Sequence, residues 1–255
     1  MTTNKWECLV YGDYEVLMPI PLQYKFGIKF VLQPFYCQQL GVFYPTVVSK
    51  ELFGEFERKL HSLKVRAYNF NEENTETYQP AGSEGVNYLI DLNKSYEELS
   101  NNFRKDRKRD IRKNEETGLK ISNEFNPKEF LRIFKKEYAQ LVKISDLGLI
   151  QRFISTLIDH KSLVTYTLSS SEDEIIAISV FAKSINRIFL QFSVRNREIE
   201  PKGSYAFMMS QIIKDLSEKE LILDFEGSSV KGIADFKVSF GAEKKVYTKY
   251  RNINF

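Results

Sequence analysis

Cysteine and histidine are scarce in this chain of 255 residues, which has two of each. Cys8 and Cys37 stand in apolar, strand-like surroundings without a CxxC or Cys/His spacing, a pattern that favours buried structural thiols over metal ligands. His61 ends a predicted helix and His160 stands in a turn, so neither is expected to act as a base. We therefore expect no metal site and a reduced, cytoplasmic setting.

Long apolar runs are missing as well. A membrane-spanning helix needs about 20 apolar residues in succession, and a signal peptide needs a basic segment followed by an apolar one. Near the start of the chain, Asp13, Glu15 and Lys25 interrupt any such run. The sequence therefore predicts neither a membrane span nor a signal peptide. With 42% apolar and 14% aromatic residues, it does predict a globular protein with a sizeable core.

Net charge is low, at +3, but one segment is strongly basic. In RKDRKRDIRK, residues 104–113, seven of ten positions are Arg or Lys. On a helix these basic residues point to all sides, and Asp106 and Asp110 can pair with them at helical spacing. The pattern is typical of a solvated helix face. The alternative is an anionic partner such as an anionic substrate, tRNA or a cell-wall precursor, although the aromatic residues that single-strand binders use are missing here.

Turn and periodicity signals divide the first half into regular elements. They predict a three-stranded meander between residues 6 and 32, a helix capped by Ser49 and a strand at 65–70. A polar loop at 71–85 and a strand at 86–92 follow.

The second half repeats this order after additional helices. A capping box of Ser95 and Glu98 predicts a helix that runs through the basic segment towards Gly118. Asn126 caps the next predicted helix, which extends to Leu141. A further helix then leads to the strands SLVTYTL, EIIAISVFA and RIFLQFSV, a helix after Gly203 and the strand LILDF. The recurring order of three strands, loop, helix and strand favours an internal repeat and an α/β (α+β) fold.

The strands RIFLQFSV and LILDF should be parallel, because a helix connects them as a crossover. Ligands of such sheets bind outside the carboxyl ends of the strands. Period-two alternation places Gln191 and Ser193 of the first strand and Asp224 and Glu226 of the second towards one cleft, if neither strand has a bulge. Caps and ion pairs are the alternative role for the two acids.

The loop before the predicted helix, VRNREIEPKGSYA at 194–206, combines cations with a glycine. Backbone N–H groups at a helix start and cationic side chains together bind phosphate groups. Arg195, Lys202, Gly203 and Ser204 are therefore the candidates for a phosphate site, and an ordinary polar loop is the alternative.

The order of elements resembles the GNAT acyltransferase fold, and three phrases of the sequence narrow the resemblance. KSYEELSNNFRKDRKRDIRKNEETGLKI, 94–121, looks like the segment with which FemAB-like proteins and their acetyltransferase relatives begin their second GNAT half. DFEGSSVKGIADFKVSFGAEKKVY, 224–247, is similar to the "acid-aromatic-x-Gly … Phe-Lys-x-x-Phe-Gly" ending of the same group. QPFYCQQLGVF resembles bacterial members of unassigned activity. The resemblance covers nearly the whole chain.

This resemblance implies two GNAT-like halves, 1–93 and 94–255, with mixed sheets flanked by helices and an abbreviated first half. It implies an N-acyltransferase that uses acetyl-CoA or another acyl-CoA as co-substrate and a small-molecule or peptide amine as acceptor. The implied catalytic residues are Asp224 and Glu226, the implied residues for the donor's phosphates are Arg195, Lys202, Gly203 and Ser204, and the implied substrate-binding residues are Gln191, Ser193 and Lys237.

Two departures keep other functions open. The GNAT pyrophosphate loop reads Gln/Arg-x-x-Gly-x-Gly/Ala, whereas EPKGSY, 200–205, begins with an acid and ends with an aromatic residue. The chain also lacks the long helical-hairpin arm of the Fem ligases that use aminoacyl-tRNA, which makes tRNA the less favoured partner. The alternatives are FemAB-like aminoacyl transfer to a cell-wall precursor and a non-catalytic binding module.

Overall fold

A computed structural model describes residues 3, 5–139, 144–228 and 230–252. The chain divides into two compact units, Met1–Asn87 together with Lys245–Phe255, and Tyr88–Lys244. The elements in chain order are β1 (Lys5–Tyr11), β2 (Val16–Lys25), β3 (Ile28–Leu32), α1 (Lys50–His61), β4 (Val65–Phe70), α2 (Glu72–Tyr78), β5 (Ser83–Asp91), α3 (Tyr96–Asn101), α4 (Lys105–Glu115), β6 (Lys120–Ser122), α5 (Pro127–Glu137), α6 (Ile144–Asp159), β7 (Leu163–Ser169), β8 (Ile175–Lys183), β9 (Arg187–Arg195), α7 (Ser204–Leu216), β10 (Ile222–Asp224), α8 (Lys231–Val238) and β11 (Glu243–Arg251).

In the first unit the strand order is β1-β2-β3-β4-β11. The first three strands form the predicted antiparallel meander, β4 pairs parallel to β3, and β11 pairs antiparallel to β4. Helix α1 connects β3 to β4, and the Ser49 side chain caps it by accepting the Leu52 N–H, as predicted. Its buried residues Phe53, Phe56 and Leu60 belong to the core of this unit.

The prediction of a loop over residues 71–85 is wrong, because α2 lies within it. Asn71 caps this helix by accepting the Asn74 N–H, and two acids in the first turn complement the helix dipole. Asn74 is fully buried, and its amide exchanges two hydrogen bonds with the backbone of Val42. A buried polar side chain therefore anchors α2, and the helix lacks the apolar stripe by which a buried helix is recognised in a sequence.

In the second unit the strand order is β5-β10-β9-β8-β7-β6. Strands β7, β8 and β9 pair antiparallel, β10 pairs parallel to β9 after the α7 crossover, and β5 pairs antiparallel to β10. Each unit therefore contains three antiparallel strands, a helix, a parallel strand and a further antiparallel strand. The predicted fold class, mixed sheets flanked by helices, is confirmed. The bounds of the two halves, 1–93 and 94–255, stay a prediction.

The single helix predicted from residue 96 towards Gly118 is wrong, since α3 and α4 are separate. The capping box of Ser95 and Glu98 starts α3 as predicted. The chain then leaves the helical path at Arg104, whose backbone is extended and whose N–H donates to Ser239 O at 2.9 Å. Phe103 is buried there against Phe240, with ring centroids 5.1 Å apart. Burial of this aromatic ring offsets the interrupted helical hydrogen bonds.

Two smaller expectations are also corrected. Both cysteines were expected to be buried, but Cys8 is exposed because it lies on the edge strand β1, and Cys37 is half-buried. Helix α5 was expected to reach Leu141, but it ends at Glu137 with Tyr138 as its C-cap, and Leu141 lies outside the described residues. Within the described ranges no helix has the length and apolarity needed to cross a bilayer.

Candidate functional site

The site lies where β9 and β10 separate in the second unit. Their parallel pairing covers only Arg187 to Phe189 opposite Ile222 to Asp224, and β9 then continues for six residues. Opposite β8, Val180 pairs with Phe192 and Phe181 pairs with Leu190, which leaves Gln191 as an extra, bulged residue. A bulge bends its strand and turns a side chain out of the regular alternation. The carboxyl end of β10 therefore faces an open edge of β9.

Asp224 is the last residue of β10, and only 1% of it is exposed. One carboxylate oxygen accepts a hydrogen bond from Arg187 Nη1 at 3.1 Å, and the other accepts the Glu226 N–H at 2.7 Å. The second contact folds the chain back just beyond the strand. Glu226 adopts the left-handed conformation there, with φ of 56°. Such a conformation is costly for a residue other than glycine and is concentrated at functional sites.

Glu226 faces the bulge on β9. Its Oε1 accepts a hydrogen bond from Gln191 Nε2 at 2.9 Å. Burial of the carboxylate, and next the nearby charge of Asp224, raise the pKa of Glu226 to about 7, against the opposing effects of Gln191 and Lys237. Gln191 Oε1 is buried, and no described residue donates to it. The pair thus combines one carboxylate with one carbonyl oxygen that has no donor among the described residues.

Lys237 completes the cluster from α8. Only 6% of it is exposed, and its Nζ donates to the backbone oxygens of Glu226 at 2.8 Å and Gly227 at 3.2 Å. The ammonium also lies 5.7 Å from the centre of the Tyr88 ring. Burial lowers the pKa of Lys237 to about 8, while the charges of Glu226 and Asp224 oppose this change. Four residues chosen from the sequence therefore meet at one place: Gln191, Asp224, Glu226 and Lys237.

Ser193 has different neighbours, because the bulge at Gln191 interrupts the alternation that predicted both on one face. Its hydroxyl forms a hydrogen bond with the Tyr205 hydroxyl, which lies 3.2 Å from Ser179 Oγ on the other side. Burial raises the pKa of Tyr205, so this phenol stays neutral. The backbone oxygen of Ser193 accepts from the hydroxyl of Tyr138 at 3.1 Å. A substrate contact of Ser193 stays a prediction.

The predicted phosphate loop is occupied by ion pairs. Arg195 lies 4.8 Å above the Tyr205 ring, and its Nε donates to Glu200 at 2.6 Å. Arg197, more than half exposed, bridges Glu200 at 3.3 Å and Glu137 at 3.1 Å. Glu200 and Glu137 therefore already neutralise the charges of Arg195 and Arg197.

Gly203 is the N-cap of α7, with φ of 85°. A Cβ at this position would lie 2.9 Å from Cβ of Asp110 on α4, so helix α4 packs directly against the start of α7. Ser204 is fully buried, and its hydroxyl has no partner in the described part of the chain, whereas Lys202 is exposed. Lys202 and Ser204 thus differ in exposure, and a contact of this loop with the donor's phosphates stays a prediction.

Four neighbours of the site have no clear signal in the sequence: Arg187, Tyr205, Glu137 and Tyr138. Arg187 reaches Asp224 only through the parallel register of β9 and β10. Glu137 and Tyr138, at the end of α5, contact β9 some 55 residues further along the chain. Together with the loop after β9 they border a surface hollow of about 570 Å³, lined by Ile133, Lys136, Glu137, Tyr138, Arg195, Asn196, Arg197, Glu198 and Ile233.

A second feature of this unit is the basic face of α4. The helix buries Ile111 and Asn114, and two of its acids pair with neighbouring cations, Asp106 with Arg104 and Asp110 with Arg107. The remaining cations lie on one side and line a shallow hollow of about 590 Å³ with Glu116; they are Lys105, Lys108, Arg109, Arg112 and Lys113. Basic residues were expected on all sides; five of the six cations of α4 share one exposed face, while Arg107 lies on the packed side against Phe236 and Phe240.

Similarity to known proteins is found at the level of structure and not of sequence. No protein-family model matches the sequence, and no curated protein matches it. Among solved structures, FemX is similar with a TM-score of 0.67 at 10% identity, over 97% of this chain and 88% of FemX. L-PGS from Bacillus licheniformis gives a TM-score of 0.58 at 14% identity, over 98% of this chain and 85% of L-PGS. A tandem GNAT protein from the clavulanic acid biosynthesis pathway, determined without acetyl-CoA, gives a TM-score of 0.50 at 8% identity, over 92% of this chain and 78% of that protein.

These similarities define the class of fold. The chain has a tandem GNAT-like fold of the kind found in FemX. The resemblance seen in the sequence to the GNAT superfamily and its FemAB-like members is thereby confirmed at the level of the fold.

Proposed function

We propose that this protein transfers an acyl group from an acyl-CoA-type donor to an amine, with Glu226 as the general base. The observation that carries the proposal is the Glu226 carboxylate, whose pKa is raised to about 7 and which lies at the point where β9 and β10 separate. A base works best when its pKa is near the operating pH. The similar structures use this fold, and that of the clavulanic acid pathway is a GNAT protein, which supports the same reaction class.

The acceptor's amine fits the two oxygens that the cluster offers. An ammonium group donates three hydrogen bonds, and Glu226 and the unused Oε1 of Gln191 both accept. Binding a cation here also relieves the repulsion between Glu226 and the buried Asp224. A small-molecule or peptide amine satisfies this chemistry equally well.

The transfer then proceeds in balanced steps. Glu226 takes one proton from the bound ammonium, and the neutral amine attacks the acyl carbonyl carbon. A carbon–nitrogen bond forms, the carbon–sulfur bond of the thioester breaks, and the thiolate leaves. The nitrogen loses a second proton as the amide forms; one of the two protons neutralises the thiolate and the other goes to solvent. General base catalysis of this kind contributes about 10²- to 10⁴-fold to the rate.

Lys237 and Asp224 support the base. Lys237 Nζ donates to the backbone oxygens of Glu226 and Gly227, and we assign its positive charge to stabilising the negative charge that develops on the carbonyl oxygen. Asp224 receives the Glu226 N–H and so fixes the turn that aims the base at β9. Arg195, Lys202, Gly203 and Ser204 stay the proposed contacts of the donor's phosphates.

A thermal-shift screen of acetyl-CoA, longer acyl-CoAs and free coenzyme A tests the donor. A ligand at 100 times its dissociation constant should add about 2.7 kcal/mol to the free energy of unfolding. Transfer to candidate amines should then fall in Glu226→Gln, with Glu129→Gln, an acid of α5 that pairs with Arg132, as the matched control. Stabilisation by acyl-CoA without transfer to any amine would favour a non-catalytic binding module.

A second candidate is aminoacyl transfer from a donor carried on tRNA to a cell-wall precursor. The five cations on the exposed face of α4 favour it, because clustered cations bind backbone phosphates. The opposite, packed face of α4 contacts the start of α7, where Asn114 donates to the backbone oxygen of Lys202 at 3.2 Å. The likeness to FemX gives this candidate the same fold.

Salt dependence distinguishes the two donors. Five neutralised phosphates should give log K a slope of about −3.5 to −4.5 against log salt concentration. Replacing Lys108 and Arg112 with Gln should make that slope shallower by the contribution of about two phosphate contacts. The same change at Lys128 and Lys135 of α5 should leave the slope unchanged. No binding of tRNA at low salt would exclude this candidate and leave α4 as a solvated face.

A further inference from the structure

The open edge of β9 is covered by two side chains from the end of α5. Tyr138 donates its hydroxyl hydrogen to Ser193 O at 3.1 Å, and Glu137 Oε2 accepts the Arg195 N–H at 2.8 Å. Both backbone groups lie beyond Phe189, where the pairing with β10 has ended. They would otherwise be unpaired groups at a strand edge.

These two contacts have the pattern of one residue in a parallel strand. In a parallel ladder, one residue donates its N–H to a carbonyl of the neighbouring strand and accepts the N–H two residues further along that strand. Ser193 and Arg195 are two residues apart. The Ser193 carbonyl accepts one hydrogen bond and the Arg195 N–H donates one, as this pattern requires. Tyr138 supplies the donor and Glu137 the acceptor, so two side chains replace the backbone N–H and C=O of one residue.

The same groups border open space. Glu137, Tyr138 and Arg195 line the hollow of about 570 Å³ beside β9. The second oxygen of Glu137 is bound by Arg197 at 3.1 Å, and the guanidinium of Arg197 is more than half exposed. An arm entering the hollow therefore meets the Tyr138 hydroxyl and the Glu137 carboxylate before it reaches the strand edge.

We propose that Glu137 and Tyr138 determine donor specificity by competing with the donor's amide arm for the edge of β9. The arm binds only when two of its successive amides replace both contacts, the N–H of one donating to Ser193 O and the C=O of the next accepting the Arg195 N–H. A donor without such a pair of amides gains nothing at this edge. The proposal rests on the proposed acyl transfer only for the place of the donor, and it assigns the two residues no part in the proton transfer.

Pantetheine is the probe, because it carries two secondary amides and no phosphate. Its affinity for the full chain is measured by isothermal titration calorimetry. Tyr138→Phe removes one competing contact and should tighten pantetheine binding about fivefold, the equivalent of one net hydrogen bond. Glu137→Ala should tighten it by at least as much. Tyr96→Phe, which loses a hydroxyl contact to Ser210 of α7, and Glu129→Gln, an acid of α5 that pairs with Arg132, are the matched controls and should bind as the wild type does.

Hydrogen exchange at the Arg195 amide gives a second, direct measurement. Glu137→Ala should speed this exchange in the free protein, and pantetheine should slow it again in the variant. The proposal is overturned if the wild type and Tyr138→Phe bind pantetheine equally well, or if none of these proteins binds it. It is also overturned if Glu137→Ala leaves the exchange rate of the Arg195 amide unchanged. Failure of the general-base proposal would show instead as unchanged turnover in Glu226→Gln, which this binding experiment does not measure.

Discussion

Gln191 Nε2 donates a 2.9 Å hydrogen bond to Glu226 Oε1, and this bond spans the gap that opens when β9 and β10 cease to pair. The bulge that makes Gln191 an extra residue in β9 also turns its side chain towards the acid. One amide thus positions the carboxylate on which the proposed chemistry depends.

The rate of transfer should depend on pH as a bell. Glu226 acts as a base only when ionised, so kcat/KM should rise as pH passes through about 7. Lys237 supports the reaction only when charged, so kcat/KM should fall as pH passes through about 8. A pH–rate profile measures both limbs. Lys237→Arg keeps its charge at high pH and should move the falling limb upward; a limb that stays in place would contradict the role given to Lys237.

Stability should depend on Glu226 in the opposite direction to an ordinary acid. Its folded-state pKa is raised from 4.5 to about 7, so its contribution favours folding below pH 4.5 and is lost as pH rises through 7. Above pH 7 the buried charge costs on the order of 3 kcal/mol. Glu226→Gln removes that charge and should therefore raise the free energy of unfolding at pH 8 relative to wild type.

Urea denaturation at pH 5 and pH 8 measures this difference, which should be much smaller at pH 5. Glu198→Gln serves as the control, because that acid is exposed and its pKa is lowered by Lys136. A Glu226→Gln variant that is less stable than wild type at pH 8 would show that the lost Gln191 contact outweighs the buried charge.

Arg187 should be needed to keep Asp224 charged in the core. The carboxylate is 2% exposed and the guanidinium 23% exposed, with 3.1 Å between Nη1 and Oδ2. Removing one partner of a buried pair leaves an uncompensated charge and costs about 3 kcal/mol or more. Arg187→Met should lose that amount in chemical denaturation, and the double variant Arg187→Met with Asp224→Asn should lose less than the sum of the single changes. Additive losses would mean that the two residues do not stabilise one another.

Gly203 should tolerate no side chain. Its φ of 85° disfavours other residues, and a Cβ would lie 2.9 Å from Asp110. Gly203→Ala should therefore cost about 1 to 3 kcal/mol of stability by thermal denaturation. Gly232 in α8 has open space around its Cβ position, so Gly232→Ala is the matched control and should stabilise by about 0.5 to 1 kcal/mol through helix propensity. Equal effects at both glycines would contradict the close packing of α4 against the start of α7.

Local patterns determined much of the fold. The meander before Leu32, the caps at Ser49, Ser95 and Asn126, and the parallel order of β9 and β10 follow from period-two alternation, short polar side chains at helix starts and the crossover connection. Each of these signals acts over a few residues. The same signals fail at α2, where the buried amide of Asn74 replaces an apolar stripe, and at Arg104, where burial of a neighbouring ring interrupts a helix of favourable composition.

The candidate site likewise combines features that the sequence determines with features that only tertiary packing determines. The sequence by itself determined that Asp224 and Glu226 stand at a strand's carboxyl end and that Lys237 lies on the following helix, because these relations are fixed by chain order and period. Only the tertiary structure decided that a bulge brings Gln191 to Glu226, that Glu200 and Glu137 neutralise the loop cations, and that the end of α5 covers the edge of β9. These contacts join residues distant in the chain, and their register and burial, which also set the pKa of Glu226, arise only when the elements pack together.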